Sequence, residues 1–533
     1  MDNAIQEETR MALKAVEAAA PAKQPGLFAG ATTGEVISST HTQELVIALC
    51  GPIGSPLHEV AEKLKEMLER PFGYTKCNVI RLSQFIESHA GRAGRAISGD
   101  PSGRRHDLIS LGDEMREKFG SSVLAELAVH DIRLDRELNA KDKTTGQFLP
   151  RRACHIIDSI KNQEELELLR AVYRESLYVV GVFSPLANRE AMLREKGLDN
   201  AQIATLMDRD SGEEINHGQT VADTFPQSDF FLRMDSNTET QLRAKVERFL
   251  HLILGTRVIT PTRGETAMYA AASAAGNSAC LSRQVGASVT DSEGEVLAIG
   301  WNDVPRAFGD LYVTDLAADP NGDGDKRCWN HGGKCYNDEE KTILADHIVS
   351  ALDGVIDPRK RAQAVEAVAK SKKLRGLIEF SRSIHAEMHA ILTALRQKGD
   401  RVRGGRLYVT TYPCHSCARH IIAAGIKEVY FIEPYKKSLA TKLHSDAVTE
   451  NEDASDKVRL IPYDGVAPTR YLALFRMRPD SRKKDGKVIR IAPELASPKL
   501  EKSLEALPTL ESLVVKSLLD RKVVVNDANI QET

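Results

Sequence analysis

The sequence predicts an α/β chain made of two successive units, each organised around a sheet with parallel strands. Three observations carry this. LVIALC (Leu45–Cys50) is a continuous apolar run, the pattern of a strand buried on both faces. A Gly-containing loop follows it, and Leu57, Val60, Ala61, Leu64, Met67 and Leu68 then recur at helical spacing. Much later, RLYVTT (Arg406–Thr411) alternates as a strand, SCARHIIAAG reads as a helix stopped by Gly425, and VYFIEP is the next strand, a β-α-β unit. Between them QVGASVTDSEGEVLAIGWND reads as a hairpin with Ser292–Gly294 in its turn.

The 533 residues suffice for two or three domains with substantial cores. The chain is 42% hydrophobic and 28% charged, as soluble globular proteins are. A net charge of −3 gives no global basic field. That counts against a polynucleotide-acting protein and leaves only a local basic groove open. Eight cysteines over this length do not form a disulfide framework, and a cytoplasmic location is expected. MDNAIQEETRMALKAVEAAA has no apolar signal core, and no stretch is long and apolar enough to span a membrane, so no membrane partner is expected.

Residues 1–40, rich in Ala, Gly, Ser and Thr around Pro21 and Pro25, are expected as a flexible lead. The first folded unit is 41–240. Strand, Gly-containing loop and helix form the context of a phosphate-binding loop. Counting G-x-x-x-x-G-K-[ST] from Gly51 places Pro56 at the second Gly, Leu57 at the Lys and His58 at the Ser/Thr. Proline has no N–H for a phosphate, leucine has no charge, and the magnesium-binding hydroxyl is missing. ATP hydrolysis by the standard mechanism is therefore not expected, and Gly51, Gly54 and Ser55 remain as candidate nucleotide-binding residues. ACHIIDSIKNQEELELLR reads as a strand ending at Asp158 and a helix, and ESLYVVGVFSP as another apolar strand. A charged stretch with Arg189, Arg194, Arg209 and Asp210 follows, then GQTVADTFPQSDFFL as the strand that closes the sheet. This order resembles the nucleoside- and nucleotide-kinase branch of P-loop proteins, with the phosphate-binding residues lost. The arginines would be its lid, or simply a solvated helix face. QLRAKVERFLHLILG lies in a connector, 241–259. The second unit, 260–478, opens with ETAMYAAASAAGNSACLSR as a long small-residue helix. The charged, proline-interrupted segment 479–533 is expected as an appendage.

The chemistry is concentrated in two short motifs, His385-Ala386-Glu387 and Pro413-Cys414-His415-Ser416-Cys417. Together they spell H-x-E and P-C-x-x-C, the zinc nucleobase-deaminase signature. One imidazole and two thiolates are three ligands for tetrahedral Zn²⁺, with the fourth position open to water. Zinc lowers the pKa of such a water towards neutrality. Glu387, beside the metal without ligating it, can take the water proton and deliver protons to the ring nitrogen and departing ammonia. Cys414 and Cys417 fall on the first turn of a helix, where free N–H groups and the dipole favour thiolate. His385 and Glu387 open the preceding helix, whose Ile391, Leu392 and Leu395 are expected to face a core. A C-x-x-C alone is equally a redox pair or half of a structural zinc site, and HAE alone carries no signal. Their conjunction in this order, with Pro before the first Cys, points to a catalytic site.

SACLSRQVGASVTD, GWNDVPRAFGD, IHAEMHAIL and TTYPCHSCARHIIAAGIKEVYF occur in the order found in deoxycytidylate deaminases, a resemblance covering roughly residues 260–470. The fold class implied is a P-loop kinase-like parallel-sheet domain followed by an α/β/α cytidine-deaminase-like domain. Fused behind a degenerate P-loop unit at this length, it resembles the bacterial phage-defence cytidine deaminases. That resemblance implies deamination of dCMP and dCTP, depletion of the deoxynucleotides a phage needs, and inhibition by a small RNA. It also implies a homo-oligomer and a thymidine-nucleotide effector. It places the catalytic zinc on His385, Cys414 and Cys417, the proton shuttle on Glu387, and substrate contacts on Asn302, Arg283 and Tyr412. Asn302 reads alternatively as a turn residue. His389 stands where the family has Asn, and Asp303 puts a carboxylate near the expected phosphate side, with Arg283, Arg306 and Lys436 to offset it. Cys280 aligns with a cysteine that some members use for a structural zinc. With Cys328, His331 and Cys335 it makes a candidate second site, or these are core and loop thiols. Three other readings compete. A polynucleotide deaminase needs basic residues and aromatic platforms, and aromatics are only 5% of this chain. A regulated module would use the first unit as sensor and the second as output. A working nucleotide kinase lacks its Lys and Ser/Thr.

Overall fold

A computed structural model describes residues 40–144, 146–210, 221–234, 238–434, 438–477, 481–500, 502–504 and 507–524. The expected lead before Thr40 lies outside them, as do the side chains of Arg209 and Asp210. Among the described residues no helix is long and apolar enough to cross a membrane.

The first sheet is built from β1 (Leu45–Cys50), β2 (Lys76–Arg81), β3 (Ala153–Ile160), β4 (Leu177–Phe183) and β5 (Phe230–Arg233). All five run parallel. Every residue of β1 is buried because helices cover both faces of the strand. Leu45, Ile47 and Leu49 share a core with α1 (Leu57–Glu69). Val46, Ala48 and Cys50 share another with α2 (Val123–Asn139) and α3 (Gln163–Tyr173). Strand β3 runs two residues past Asp158, to Ile160. β4 leads into α4 (Leu186–Glu195).

Two expectations for this half are corrected. The helix read as a connector, α5 (Glu239–Leu254), belongs to the first core. Its Leu242, Val246, Phe249, Leu250 and Ile253 are buried beside α1, since an amphipathic helix turns its apolar stripe to a core. The sheet is also not closed by β5. Its order is β12-β5-β4-β1-β3-β2, where β12 (Gly465–Val466) arrives from the second half and pairs antiparallel with β5.

The second sheet contains β6 (Gly286–Thr290), β7 (Val296–Trp301), β8 (Arg406–Thr411), β9 (Glu428–Glu433), β10 (Val448–Thr449) and β11 (Val458–Pro462), in the order β10-β11-β9-β8-β6-β7. The β6–β7 hairpin is antiparallel, and so is β6 on β8; the other pairs are parallel. Helix α6 (Arg263–Ala275) ends earlier than the long helix expected, so Cys280 lies in the following loop. The segment after β7 carries α7 (Tyr336–Ser350) and α8 (Arg361–Lys370). Helix α9 (Ala386–Val402) packs on β7 so closely that a Cβ on Gly300 would lie 2.3 Å from the Ala390 backbone nitrogen. Only glycine fits there. The buried stripe of α9 is Ala386, Ala390, Ile391 and Ala394, whereas Leu392 and Leu395 are 48% and 41% exposed. Small residues, not the leucines, make the close contact. Helix α10 (His415–Ala423) joins β8 to β9.

The two halves share one core, in which Val46 and Val129 meet Met268, Tyr408 and Tyr463. The segment expected as an appendage is integrated as well. Lys502–Ser503 pairs with His41–Thr42, and α11 (Leu507–Asp520) buries Val514 and Leu518 in that same core. Its Glu511 is fully buried against Arg136, which also pairs with Glu44. A charge buried this deeply requires its partner, so the tail is anchored.

Candidate active site

Strand β8 ends at Thr411, and Tyr412 and Pro413 lead to Cys414, the N-cap of α10. Its Sγ accepts the Cys417 N–H at 3.4 Å. His385 is the N-cap of α9. Its Nδ1 lies 3.4 Å from Cys414 Sγ and 3.3 Å from Cys417 Sγ. The three ligand atoms lie within 4.8 Å of one another, and among the described residues no other set of three His, Cys, Asp or Glu is gathered so tightly. Ligands sharing a tetrahedral zinc, with Zn–N of about 2.0 Å and Zn–S of about 2.3 Å, sit roughly 3.5 Å apart. The donor set fits zinc in both identity and spacing.

On their own, the two thiols and the imidazole share protons among themselves, and only Cys414 is shifted towards thiolate. A hydrogen bond from Cys417 brings the Cys414 thiol down to about 4, against its burial, and His385 helps. The hydrogen bond to Cys414 brings His385 up to about 9. Cys417 is pushed well up by its hydrogen bond to Cys414 and by burial. Glu387, on the first turn of α9, is 4% exposed, and burial raises its carboxyl while the His385 charge opposes that rise. A carboxyl held nearer neutrality suits a group that both takes and returns a proton.

These residues border a cavity of about 990 Å³. His385, Glu387, Cys414, Asn302, Arg283 and Tyr412 all line it. Asn302 spans two strand ends: its Oδ1 accepts from Val285 N at 2.7 Å and its Nδ2 donates to Arg283 O at 2.9 Å. Arg283 is paired with Glu433. Tyr412 donates its hydroxyl to Glu450 at 2.7 Å.

Four other candidates stand apart from this cluster. His389 turns away from the cavity, edge-on to Trp301 with 4.8 Å between ring centroids. Arg306 lines a separate cavity with Trp301 and His389, so it cannot offset charge at the first; Lys436 lies outside the described residues. Asp303 is buried, accepts from Ala279 N and Val304 N, and faces Arg327, so its carboxylate is kept from the cavity. Cys280, Cys328 and Cys335 border the cavity, but the four candidate ligands of a second zinc are not drawn into one tight set. His331 instead stacks on Tyr336 within a turn made by Gly332 and Gly333 at positive φ.

The sequence reading missed the charged wall of the cavity, where Lys341, Lys370, Arg375 and Arg382 stand with Asp338 and Glu366, which pair with Lys341 and Lys370. No motif marks them, because a lysine on a polar helix reads alike whether it faces solvent or a cavity.

The loop after β1 is built differently. Ser55 N–H donates to Pro52 O at 3.1 Å and Leu57 N–H to Ser55 O at 2.9 Å. Lys161 Nζ donates to Gly51 O at 2.8 Å. Gly54, at φ +85°, lies against Arg189, whose Cβ would be 2.8 Å from an added Cβ. Ser55 is 8% exposed, and its Oγ has no partner. In this loop the Ser55 and Leu57 N–H groups are thus engaged by carbonyls of the loop itself.

Residues 261–433 match the family described as the cytidine and deoxycytidylate deaminase zinc-binding region. Over these residues the chain is similar to the cytidine and deoxycytidylate deaminases. ComE operon protein 2 of Bacillus subtilis is 52% identical over 56 residues, 10% of this chain and 29% of that protein. The chain thus spans under a third of that relative's length. Deoxycytidylate deaminase of Enterobacteria phage T4 is 29% identical over 165 residues, 30% of this chain and 72% of that protein. Among solved structures, dCMP deaminase of the cyanophage S-TIM5 with dCMP and dUMP is 20% identical, covers 38% of this chain and 99% of that one, and has a TM-score of 0.22.

Proposed function

We propose that this chain hydrolyses the exocyclic amine of a free deoxycytidine nucleotide, dCMP or dCTP, releasing ammonia and a deoxyuridine nucleotide. The observation that carries the reading is Glu387, buried beside the His385, Cys414 and Cys417 donor set in a cavity that Arg283, Lys341, Lys370 and Arg375 also line. His385, Cys414 and Cys417 would hold a zinc ion, which would supply Lewis-acid activation of water. Glu387 would take a proton from the attacking water and return protons to the ring nitrogen and the leaving amine. Arg283, Lys341, Lys370 and Arg375 offer charge for a phosphate end, and Tyr412 forms a flat wall for the pyrimidine. The name of the phage T4 relative supports a nucleotide over a polynucleotide substrate. The resemblance to phage-defence enzymes extends the proposal to depletion of a nucleotide pool by a homo-oligomer, under an inhibitory RNA and a thymidine-nucleotide effector.

The test is ammonia release by purified protein from dCMP, dCTP, cytidine and single-stranded DNA, with Glu387→Ala as control. Turnover of dCMP or dCTP alone is expected. Turnover of the polynucleotide alone would replace the reading by a polynucleotide deaminase.

A further inference from the structure

The two halves meet at the end of β5, and the contacts there lead to the cavity. Arg233, the last residue of β5, is held twice by the second half. Its backbone N–H donates to Asp464 Oδ1 at 2.9 Å, and its Nε donates to Glu452 Oε1 at 3.0 Å. The Arg233 and Glu452 side chains are only 16% and 14% exposed, so this pair is poorly screened by solvent. Two residues earlier in the same turn, Glu450 accepts the Tyr412 hydroxyl at 2.7 Å. Tyr412 is 8% exposed, lines the cavity and precedes Pro413 and Cys414. Burial, with the Glu450 carboxylate adding to it, pushes the Tyr412 phenol up.

The Glu450–Glu452 turn follows a two-residue strand and leans on its neighbours. Arg459 holds its backbone, donating to Glu452 O at 3.0 Å, and Arg233 holds its side chain. On the other side of Arg233, Ser184 Oγ donates to Met234 O at 2.8 Å and Arg189 Nε to Ser184 O at 3.1 Å. Arg189 Nη1 in turn donates to Ile53 O at 3.4 Å, in the loop after β1. Hydrogen bonds thus run from the first half to one wall of a cavity whose lining residues all lie between Cys280 and Cys414.

We propose that Arg233, acting through Glu452 and Glu450, positions Tyr412, so that the first half sets the substrate affinity of a site it does not touch. The proposal rests on this cavity being the deaminase site. Arg233 is a positioning residue, and Tyr412 is the residue it positions.

The experiment is a double-mutant cycle in the full chain: wild type, Arg233→Ala, Tyr412→Phe and both together. Deamination of dCMP and dCTP is followed, with zinc content measured for each protein. Each single change is expected to raise KM ~3–10-fold with kcat within about twofold, the range of such couplings. The double variant is expected to be no worse than Tyr412→Phe. Arg233→Lys, which keeps the charge, is expected to recover most of the affinity. An unchanged KM in Arg233→Ala, or a double effect equal to the product of the singles, overturns the proposal. Glu452→Gln gives the same reading if Arg233→Ala does not fold. If the wild type turns over neither nucleotide, the deaminase reading fails, and the coupling is read from thermal unfolding of the same four proteins. Additive Tm shifts there overturn the Arg233–Tyr412 coupling itself, and non-additive shifts support that coupling while the claim about substrate affinity falls with the deaminase reading.

Discussion

Two junctions in this molecule share a plan, a parallel strand that stops, a short loop and a helix, yet only one is equipped for chemistry. After β8 the helix opens with Cys414 at its N-cap and Cys417 on its first turn, facing His385 across 3.3–3.4 Å. After β1 the helix opens behind Pro56, with no side-chain cap, and the loop's N–H groups at Ser55 and Leu57 are taken by its own carbonyls. Where the first turn of a helix presents two cysteines to a facing imidazole, it can hold a metal cation. Where the loop's own carbonyls take those N–H groups and Arg189 covers its glycine, the same plan is only a connection.

The largest effect that sharpens this contrast is at the first junction. Cys414→Ala is expected to lose both metal and turnover, and Glu387→Gln to keep the metal while losing about 10²–10⁴ in kcat. Metal analysis beside single-turnover kinetics separates the two. Equal metal loss in both would mean that Glu387 holds the ion rather than moving protons.

Next in size is the anchoring of the tail. Glu511→Ala leaves the buried Arg136 with Glu44 as its remaining carboxylate partner. A loss of about 3 kcal/mol is expected in denaturant unfolding. An unchanged midpoint would mean that α11 is not held by this pair.

A similar magnitude should appear as acid sensitivity of the first half. Burial holds His155 down at about 4, against the pull of Glu44 and Asp135. The unfolded chain therefore binds more protons than the folded one between about pH 6.5 and 4, and stability rises with pH across that window. Burial would raise Asp135, but its bonds to Lys76 and Arg151 prevail and lower it. That adds stability present at neutral pH and lost further into acid. On the order of 3 kcal/mol should disappear from His155 alone as pH falls from 6.5 to 4. His155→Asn should flatten the stability–pH curve there, and an identical curve would exclude His155 as its source.

The smallest effect belongs to the second junction. Ser55 Oγ is buried without a partner, so Ser55→Ala should change stability by less than about 0.5 kcal/mol, or raise it, and leave deamination unchanged. A marked loss of turnover in this variant would mean that the loop after β1 has a ligand after all, and the contrast between the junctions would fall.

The donor set was legible in the linear chain because each part is local. Cys414 and Cys417 stand three apart on one helical turn, and Glu387 follows His385 by two. The apolar run of β1 and the alternation of β8 were legible for the same reason: a strand's burial pattern repeats within a few residues. Leu392 and Leu395 misled, because helical spacing shows that a face exists without saying that the alanines of α9 form it.

By itself the sequence determined the strand–loop–helix order and the metal donors, since these depend on residue types at short spacing. Only the tertiary structure decided that Gly465–Val466 closes the first sheet, that Glu511 is buried on Arg136, and that Lys341 and Arg375 wall the cavity. The same holds for the Asn302 amide, which ties Val285 to Arg283. Each is a pairing between distant segments, set by which backbone and charged groups find a partner once the cores close, and short-range pattern carries no record of it.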